Sequence, residues 1–243
     1  MTAAIVIPFR DRGIDPLRRQ NLDRVLKHWA DYPAEIHIVD DGRSSDQPFN
    51  RSRAYNHGAA VTDADVLIYT ESDMLIPFEQ INQAVDQAFT APGLVVPFTE
   101  YRYLSPEDSE RVRQCEVEPQ DCEPAYARGG SIGAINVISR HTLDLIGQWD
   151  ENFEGSWYDD DAMKHAFEIC AGPTRYVTGP AYHLYHLPGA ASKRYAHLPG
   201  WNGEHLTDAD RDATDANRAR YQRYLAATTP EEIRALTCES VSV

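Results

Sequence analysis

Four short apolar runs separated by amphipathic stretches do most to restrict what this chain can fold into. "AAIVIPF" (3–9) is strand-length and apolar without alternation, as strands covered on both faces are, and "EIHIV" (35–39), "VLIYT" (66–70) and "LVVPF" (94–98) predict three more strands. Between the first two, Asp15-Pro16 offers a cap and a first-turn proline. Leu22, Val25, Leu26 and Trp29 then recur at helical spacing, which predicts a helix over 15–31. Further helices are expected over 51–61 and over 77–89, the latter burying Phe78, Ile81, Val85 and Phe89. Strand–helix–strand units repeated in this way predict an α/β fold, a mainly parallel sheet flanked by helices. At 243 residues the chain fits one medium domain with a substantial core.

The pattern loosens afterwards. Residues 99–128 are polar and carry three prolines, so they read as loop or short helix, and loops of that length are usually functional. "SIGAINVIS" (131–139) predicts a strand, 140–147 and 159–170 helices, and 175–186 a strand pair or extended segment. In the 159–170 helix Met163, Ala166, Phe167 and Cys170 form the apolar stripe. Residues 187–206 read as loop, and from 207 the chain is polar and helical with an end expected to fray. The glycine pair in "RGGSIGAINVISR" (128–140) marks either a close approach of backbone to ligand or a tight turn.

Several function classes are excluded by bulk properties. A net charge of −15 argues against nucleic acid and anionic membrane as partners. No apolar run approaches the roughly 20 residues of a membrane span. The start "MTAAIVIPFR" lacks the basic region of a signal peptide. The four cysteines form no CxxC or zinc pattern, so free thiols in a reducing cytoplasm are expected, with a Cys115–Cys122 disulfide as the alternative. An acidic protein that binds an anionic small molecule needs a local cationic device: a metal, a few arginines, or both.

In an open α/β sheet, ligands bind beyond the carboxyl ends of the parallel strands. That rule sorts the acids. Asp63-Ala64-Asp65 precedes its strand and reads as a solvated turn, whereas Glu71-Ser72-Asp73 follows the same strand. Asp40-Asp41 follows the second strand and Pro8-Phe9-Arg10 the first. Three strand ends thus deliver Arg10, Asp40, Asp41, Glu71 and Asp73 to one crevice.

"IVIPFRDR", "IVDDGRSSD", "RSRAYNHGAAVTDADVLIYTESDMLIP" and "WDENFEGSWYDDDAMKHAF", in that order, resemble a GT-A glycosyltransferase of the family 2 and galactosyltransferase C-terminal-domain types. The resemblance covers roughly residues 4–186. It implies a glycosyltransferase domain over 1–206, with a nucleotide-binding half (1–98) and an acceptor and catalytic half (99–206), a small antiparallel part, and a C-terminal helical extension over 207–243. The family's Asp-x-Asp metal motif has Glu71 in its first place here. Its Gly-Trp-Gly-aromatic, Glu-Asp-Asp motif is replaced by Gly155-Ser156-Trp157-Tyr158-Asp159-Asp160-Asp161.

By that resemblance, Asp73 binds the metal directly. Glu71 reaches ribose or the metal's waters, Ser72 belongs with the donor-binding residues, and Asp40 meets base or ribose. Pro8, Arg10 and Arg12 line the nucleotide site, with Arg53 and Asn56 flanking it; for Arg53 a surface salt bridge is the alternative. His186 is the second metal ligand, with His183 a candidate beside it. Mixed oxygen and imidazole ligation suits Mn²⁺ better than Mg²⁺. Asp160 is the general base, Asp159 a contact to a substrate hydroxyl, and Trp157 and Tyr158 a platform for a sugar ring. A helix dipole alone would favour carboxylates at 159–161, but three adjacent ones should raise at least one pKa. Tyr101, Tyr103 and Tyr126 shape the acceptor site or form partial core. The implied activity is inverting transfer from a UDP-sugar to a glycan, protein or small-molecule hydroxyl. A sugar-nucleotide nucleotidyltransferase and a non-catalytic carbohydrate-binding protein remain the alternatives.

Overall fold

A computed structural model describes residues 1–129, 132–190 and 201–239. The expected α/β architecture is present. The central sheet contains β1 (Ala3–Pro8), β2 (Glu35–Val39) and β3 (Val66–Thr70). Around them pack α1 (Pro16–Trp29), α2 (Arg51–Ala60) and α3 (Phe78–Thr90). Asp15 caps α1 by accepting from Leu17 N–H at 2.9 Å, with Pro16 in the first turn as the sequence predicts. Gly58 lets α2 settle onto the sheet, since a β-carbon there would stand 2.2 Å from Val6.

Just before α3 comes β4 (Met74–Leu75), and beyond it lie β5 (Val95–Val96), β6 (Glu100–Tyr103), α4 (Pro106–Arg113), β7 (Tyr126–Gly129) and β8 (Ile135–Ser139). They are followed by α5 (Arg140–Ile146), α6 (Asp159–Ala171), β9 (Arg175–Tyr176), β10 (Pro180–His183), α7 (Asp208–Ala226) and α8 (Pro230–Thr237). The main sheet runs β2-β1-β3-β8-β5-β9, with β8 antiparallel to both neighbours. A second sheet runs β4-β10-β6-β7. Because β8 is reversed, its first residue, Ile135, pairs with Thr70 at the end of β3. The carboxyl ends of β1, β2 and β3 and the turn entering β8 therefore share one edge.

The structure corrects several expectations. Phe89 is 53% exposed, because the buried stripe of α3 is Ile81, Ala84, Val85 and Ala88 and Phe89 falls off it. The 94–98 strand is cut to two residues, since Pro97 has no N–H to continue the ladder. The strand expected over 131–139 starts at Ile135. The polar 99–128 segment holds the expected short helix, α4, but also β6 and most of β7, which pair antiparallel and whose alternating tyrosines give no continuous apolar run. Segment 175–186 is two strands in two different sheets, with Gly179 (φ +142°) between them. Gly130 of the glycine pair, and the chain end beyond Glu239, lie outside the described residues. No helix among the described residues is long and apolar enough to cross a membrane.

The C-terminal helices pack tightly on the rest. Each has a capping box, Thr207 with Asp210 and Thr229 with Glu232. Asp150, fully buried, receives the Arg220 guanidinium and the Tyr224 hydroxyl, the latter at 2.8 Å. Asp210 also takes Arg12 Nη1 at 2.8 Å, tying α7 to the end of β1.

Candidate active site

The acids at the end of β3 and the histidines at the end of β10 meet through strand register. Met74 pairs with His183 across β4 and β10, and Leu184 N–H donates to the Asp73 carbonyl at 2.9 Å. Asp73 and His183 are 3% and 8% exposed. His186 Nε2 stands 2.9 Å from Asp73 Oδ2, and His183 Nε2 3.8 Å from Asp73 Oδ1. His186 Nδ1 is engaged by the Leu187 carbonyl at 2.7 Å, which fixes the ring with Nε2 toward the carboxylate. Asp15, the cap of α1, and Arg18 and Asn21 on that helix hold backbone atoms of Leu184, Tyr185 and Leu187, so this segment is anchored.

These three side chains can hold one cation. One ligand atom from each lies within 4.8 Å of the others, and Asp73 Oδ1 is buried with no hydrogen-bond partner. Burial alone would raise the Asp73 carboxyl, but the facing His183 and His186 hold it well below the usual carboxylate range. Burial pushes His183 down to about 3, against the opposing pull of Asp73. An ionised carboxylate beside a neutral imidazole is the state a divalent ion requires of its ligands.

The second group of acids stands at the N-terminus of α6 and is gathered by Arg51. That residue opens α2 after the Asn50 cap, and its side chain is 15% exposed. Nη1 donates to Glu71 Oε1 at 2.5 Å and to the Gly133 carbonyl at 2.8 Å. Nε and Nη2 donate to Asp159 Oδ2 at 3.1 and 2.5 Å, and Nη2 also pairs with Asp160. One guanidinium thus faces three carboxylates. Burial and the neighbouring Asp159 and Asp161 push Asp160 up to about 7, with Arg51 opposing. Burial, then Asp73, Asp160 and Asp159, push Glu71 up to about 8, again against Arg51. Gly133 is required here, since a β-carbon would stand 2.1 Å from Asp160 Oδ2.

Both groups open into one cavity of about 530 Å³. Its wall includes the sequence-predicted Pro8, Arg10, Arg12, Glu71, Ser72, Asp73, Trp157, Asp160, His183 and His186. Asp159 lies behind the wall, 6% exposed and paired with Arg51. Three predicted residues are elsewhere. Asp40 is exposed and caps Gly42 N–H at 2.7 Å; its buried neighbour Asp41 instead binds Arg10 Nη1 at 2.6 Å. Asn56 is engaged by Trp149 backbone and Glu151, and Arg53 is not on the wall. Tyr101 and Tyr103 line the cavity, whereas Tyr126 packs behind Tyr103 with ring centroids 5.7 Å apart. Asp65 clamps the chain start at Thr2 N–H (2.7 Å), the solvated turn expected of it.

Arg51 is the residue at the centre of this charged cluster that the sequence pattern does not single out. The one available signal is its place directly after a helix-capping asparagine, two residues before Arg53.

The sequence matches no family model and no curated protein. Solved structures do share its shape. GalNAc-T7, with UDP, GalNAc and Mn²⁺, superposes at a TM-score of 0.52 and 15% identity, over 96% of this chain and 51% of that one. Glucosyl-3-phosphoglycerate synthase from Mycobacterium tuberculosis, with Mn²⁺, UDP-glucose and phosphoglyceric acid, gives 0.50 and 13%, over 91% and 80%. A mutant of Drosophila β1,4-galactosyltransferase 7, with manganese, UDP-Gal and xylobiose, gives 0.46 and 15%, over 73% and 64%. The chain thus spans just under two thirds of the galactosyltransferase and about half of GalNAc-T7. The fold is the GT-A fold of glycosyltransferases.

Proposed function

We propose that this protein is a metal-dependent glycosyltransferase that moves a sugar from a UDP-sugar to an acceptor hydroxyl, inverting the anomeric centre. The observation that carries the reading is that Asp73, His183 and His186 share one cavity with Asp160. Neighbours of the same fold were solved with UDP or UDP-glucose and Mn²⁺, which supports the donor and the metal.

Asp73, His183 and His186 would hold Mn²⁺, or less favourably Mg²⁺. When bound, the ion neutralises charge developing on the departing diphosphate. Arg12 and Arg10 border the same cavity and suit phosphate or ribose oxygens, with Pro8 and Ser72 completing that wall. Glu71 faces the cavity between the two groups and accepts a ribose or sugar hydroxyl. Trp157 offers an aromatic face to a sugar ring. Asp160 takes the acceptor's proton as its oxygen attacks the anomeric carbon. A carboxylate pushed up to about 7 is ionised often enough to accept that proton near neutrality and basic enough to hold it. A single base acting on an in-line nucleophile gives inversion. Arg51 keeps Asp159 and Asp160 in place and prevents three acids from repelling one another apart.

The acceptor is a glycan, a protein or a small-molecule hydroxyl. The test is incubation with labelled UDP-glucose, UDP-galactose and UDP-N-acetylhexosamines, with Mn²⁺ and with EDTA. Mn²⁺-dependent release of UDP, with the product's anomeric configuration read by NMR, supports the reading. Condensation of a sugar phosphate with a nucleoside triphosphate, or sugar binding without turnover, would overturn it.

A further inference from the structure

The turn that presents Trp157 and starts α6 has an unusual backbone. Gly155, Trp157 and Tyr158 all lie in the left-handed region, at φ +68°, +79° and +70°. Two successive residues with side chains resist that conformation, and something outside the turn must enforce it. Tyr158 gives α6 no side-chain cap.

The enforcing group comes from α7. Asn217 is 2% exposed, and its Nδ2 donates to the carbonyls of Glu154 at 2.7 Å, Trp157 at 3.1 Å and Ser156 at 3.4 Å. Its Oδ1 accepts from Glu154 N–H at 3.1 Å. One side chain therefore fixes both ends of the turn. Neighbours on α7 grip Tyr158: Arg218 Nε donates to its hydroxyl at 3.0 Å, and Tyr221 stacks with centroids 5.9 Å apart. Helix α7 does not need Asn217 to stay docked, because Asp150 holds Arg220 and Tyr224, and Asp210 holds Arg12.

We propose that Asn217 is a positioning residue: it locks the 154–158 turn in its left-handed geometry and so sets where Trp157 and the Asp160 carboxylate stand in the cavity. The catalytic part of this inference rests on the glycosyltransferase reading; the conformational part does not. Polar helix α7, which reads in sequence as an appendage, then supplies part of the site's geometry.

Two variants test it. Asn217→Ala removes every bond, and Asn217→Asp keeps the volume and the acceptor while losing both donors. Iodide quenching of Trp157 fluorescence, taken as the difference between each protein and its Trp157→Phe counterpart, reports the turn without any activity. The quenching constant should rise about twofold, from the 41% exposure of Trp157 toward that of a free side chain. The Mn²⁺-dependent affinity for UDP should stay within about twofold, while kcat falls at least about tenfold with little change in donor KM, as for a misplaced reacting group. If Asn217→Ala does not fold, Asn217→Asp gives the same readouts. A folded variant with unchanged Trp157 quenching, or with wild-type kcat, overturns the proposal, as does a parallel loss of UDP affinity and rate. If the wild-type protein binds no UDP with Mn²⁺, the functional reading fails separately, and quenching alone decides the role of Asn217.

Discussion

The two halves of the site are built differently. The Asp73–His183–His186 group is made by strand register: a two-residue strand pairs with β10, a backbone hydrogen bond joins Leu184 to Asp73, and Asp15 at the start of α1 anchors Leu187. The Asp159–Asp161 group stands on a helix N-terminus reached through a strained turn. Arg51, which pairs with Asp159 and Asp160, and Asn217, which holds the turn, are both distant in sequence. The helix dipole favours carboxylates there by roughly 0.3–1 kcal/mol. Even so, burial and mutual repulsion leave Asp160 raised to about 7. A ligand set for a metal benefits from a rigid, ladder-built frame. A base that must change its protonation state benefits from a setting in which its charge is only partly compensated.

The largest expected effect is on the register-built half. Asp73→Ala should abolish the Mn²⁺-dependent part of UDP binding and lower transfer by about 10³-fold or more, which calorimetry and a donor-release assay would show. Survival of metal-dependent binding in this variant would place the ion elsewhere. Next comes the helix-built half. Asp160→Asn should lower kcat by about 10²–10⁴-fold while leaving UDP affinity within a few-fold. In the wild type the rate should climb with pH around an apparent pKa near 7, as Asp160 ionises. Transfer that persists in Asp160→Asn would mean that the base is misassigned.

Arg51 ties Glu71, beyond the end of β3, to the acids that open α6, and its loss should show as stability. Arg51→Ala leaves Glu71, Asp159 and Asp160 without their counter-charge and should cost about 3–5 kcal/mol in denaturant unfolding. The raised carboxyls set the sign of the pH dependence. The folded state holds the Asp160 proton more tightly than the unfolded chain, where it leaves near about pH 4. Its contribution is full below that pH and is lost as pH rises through about 7. Tm should therefore fall more steeply over that window in Arg51→Ala than in wild type, and less steeply in Asp160→Asn. A stability loss in Arg51→Ala that is independent of pH would argue that packing, not charge, is what Arg51 supplies.

The smallest effect should come from the acids on the opposite edge of the sheet. Asp65→Asn loses a clamp on Thr2 and should leave kcat unchanged, despite belonging to the chain's literal Asp-x-Asp. A fall in kcat there would undo the assignment of the site to the carboxyl edge.

Legibility in the sequence divides along the same line. β1 and β3 are near-continuous apolar runs, and β2, though an edge strand carrying Glu35 and His37, is short and rich in β-branched residues, so the parallel core and the edge that holds Glu71 and Asp73 are legible. His183 and His186 need the family resemblance, because nothing local says which edge β10 joins. β6 and β7 are hidden, since their tyrosines and arginines give no continuous apolar run. Arg51 and Asn217 cannot be reached from local pattern. Arg51 meets Asp159 across 108 residues of chain and Asn217 meets Trp157 across 60, and an arginine beginning a helix or an asparagine on a polar one is ordinary until its partners are known. Asp40 illustrates the converse. Its strand-end position points to the site, but the side chain turns back to cap Gly42 and leaves the inward place to Asp41.

The proposed chemistry requires a metal-anchored diphosphate and a proton-accepting carboxylate to occupy one cavity. A crystal grown with Mn²⁺ and UDP and measured at the manganese edge tests it most directly. The expected result is a single anomalous peak coordinated by Asp73, His183 and His186, with the UDP diphosphate on it and Asp160 facing the same space. A peak among Asp159, Asp160 and Asp161, or at Asp63 and Asp65, would contradict it.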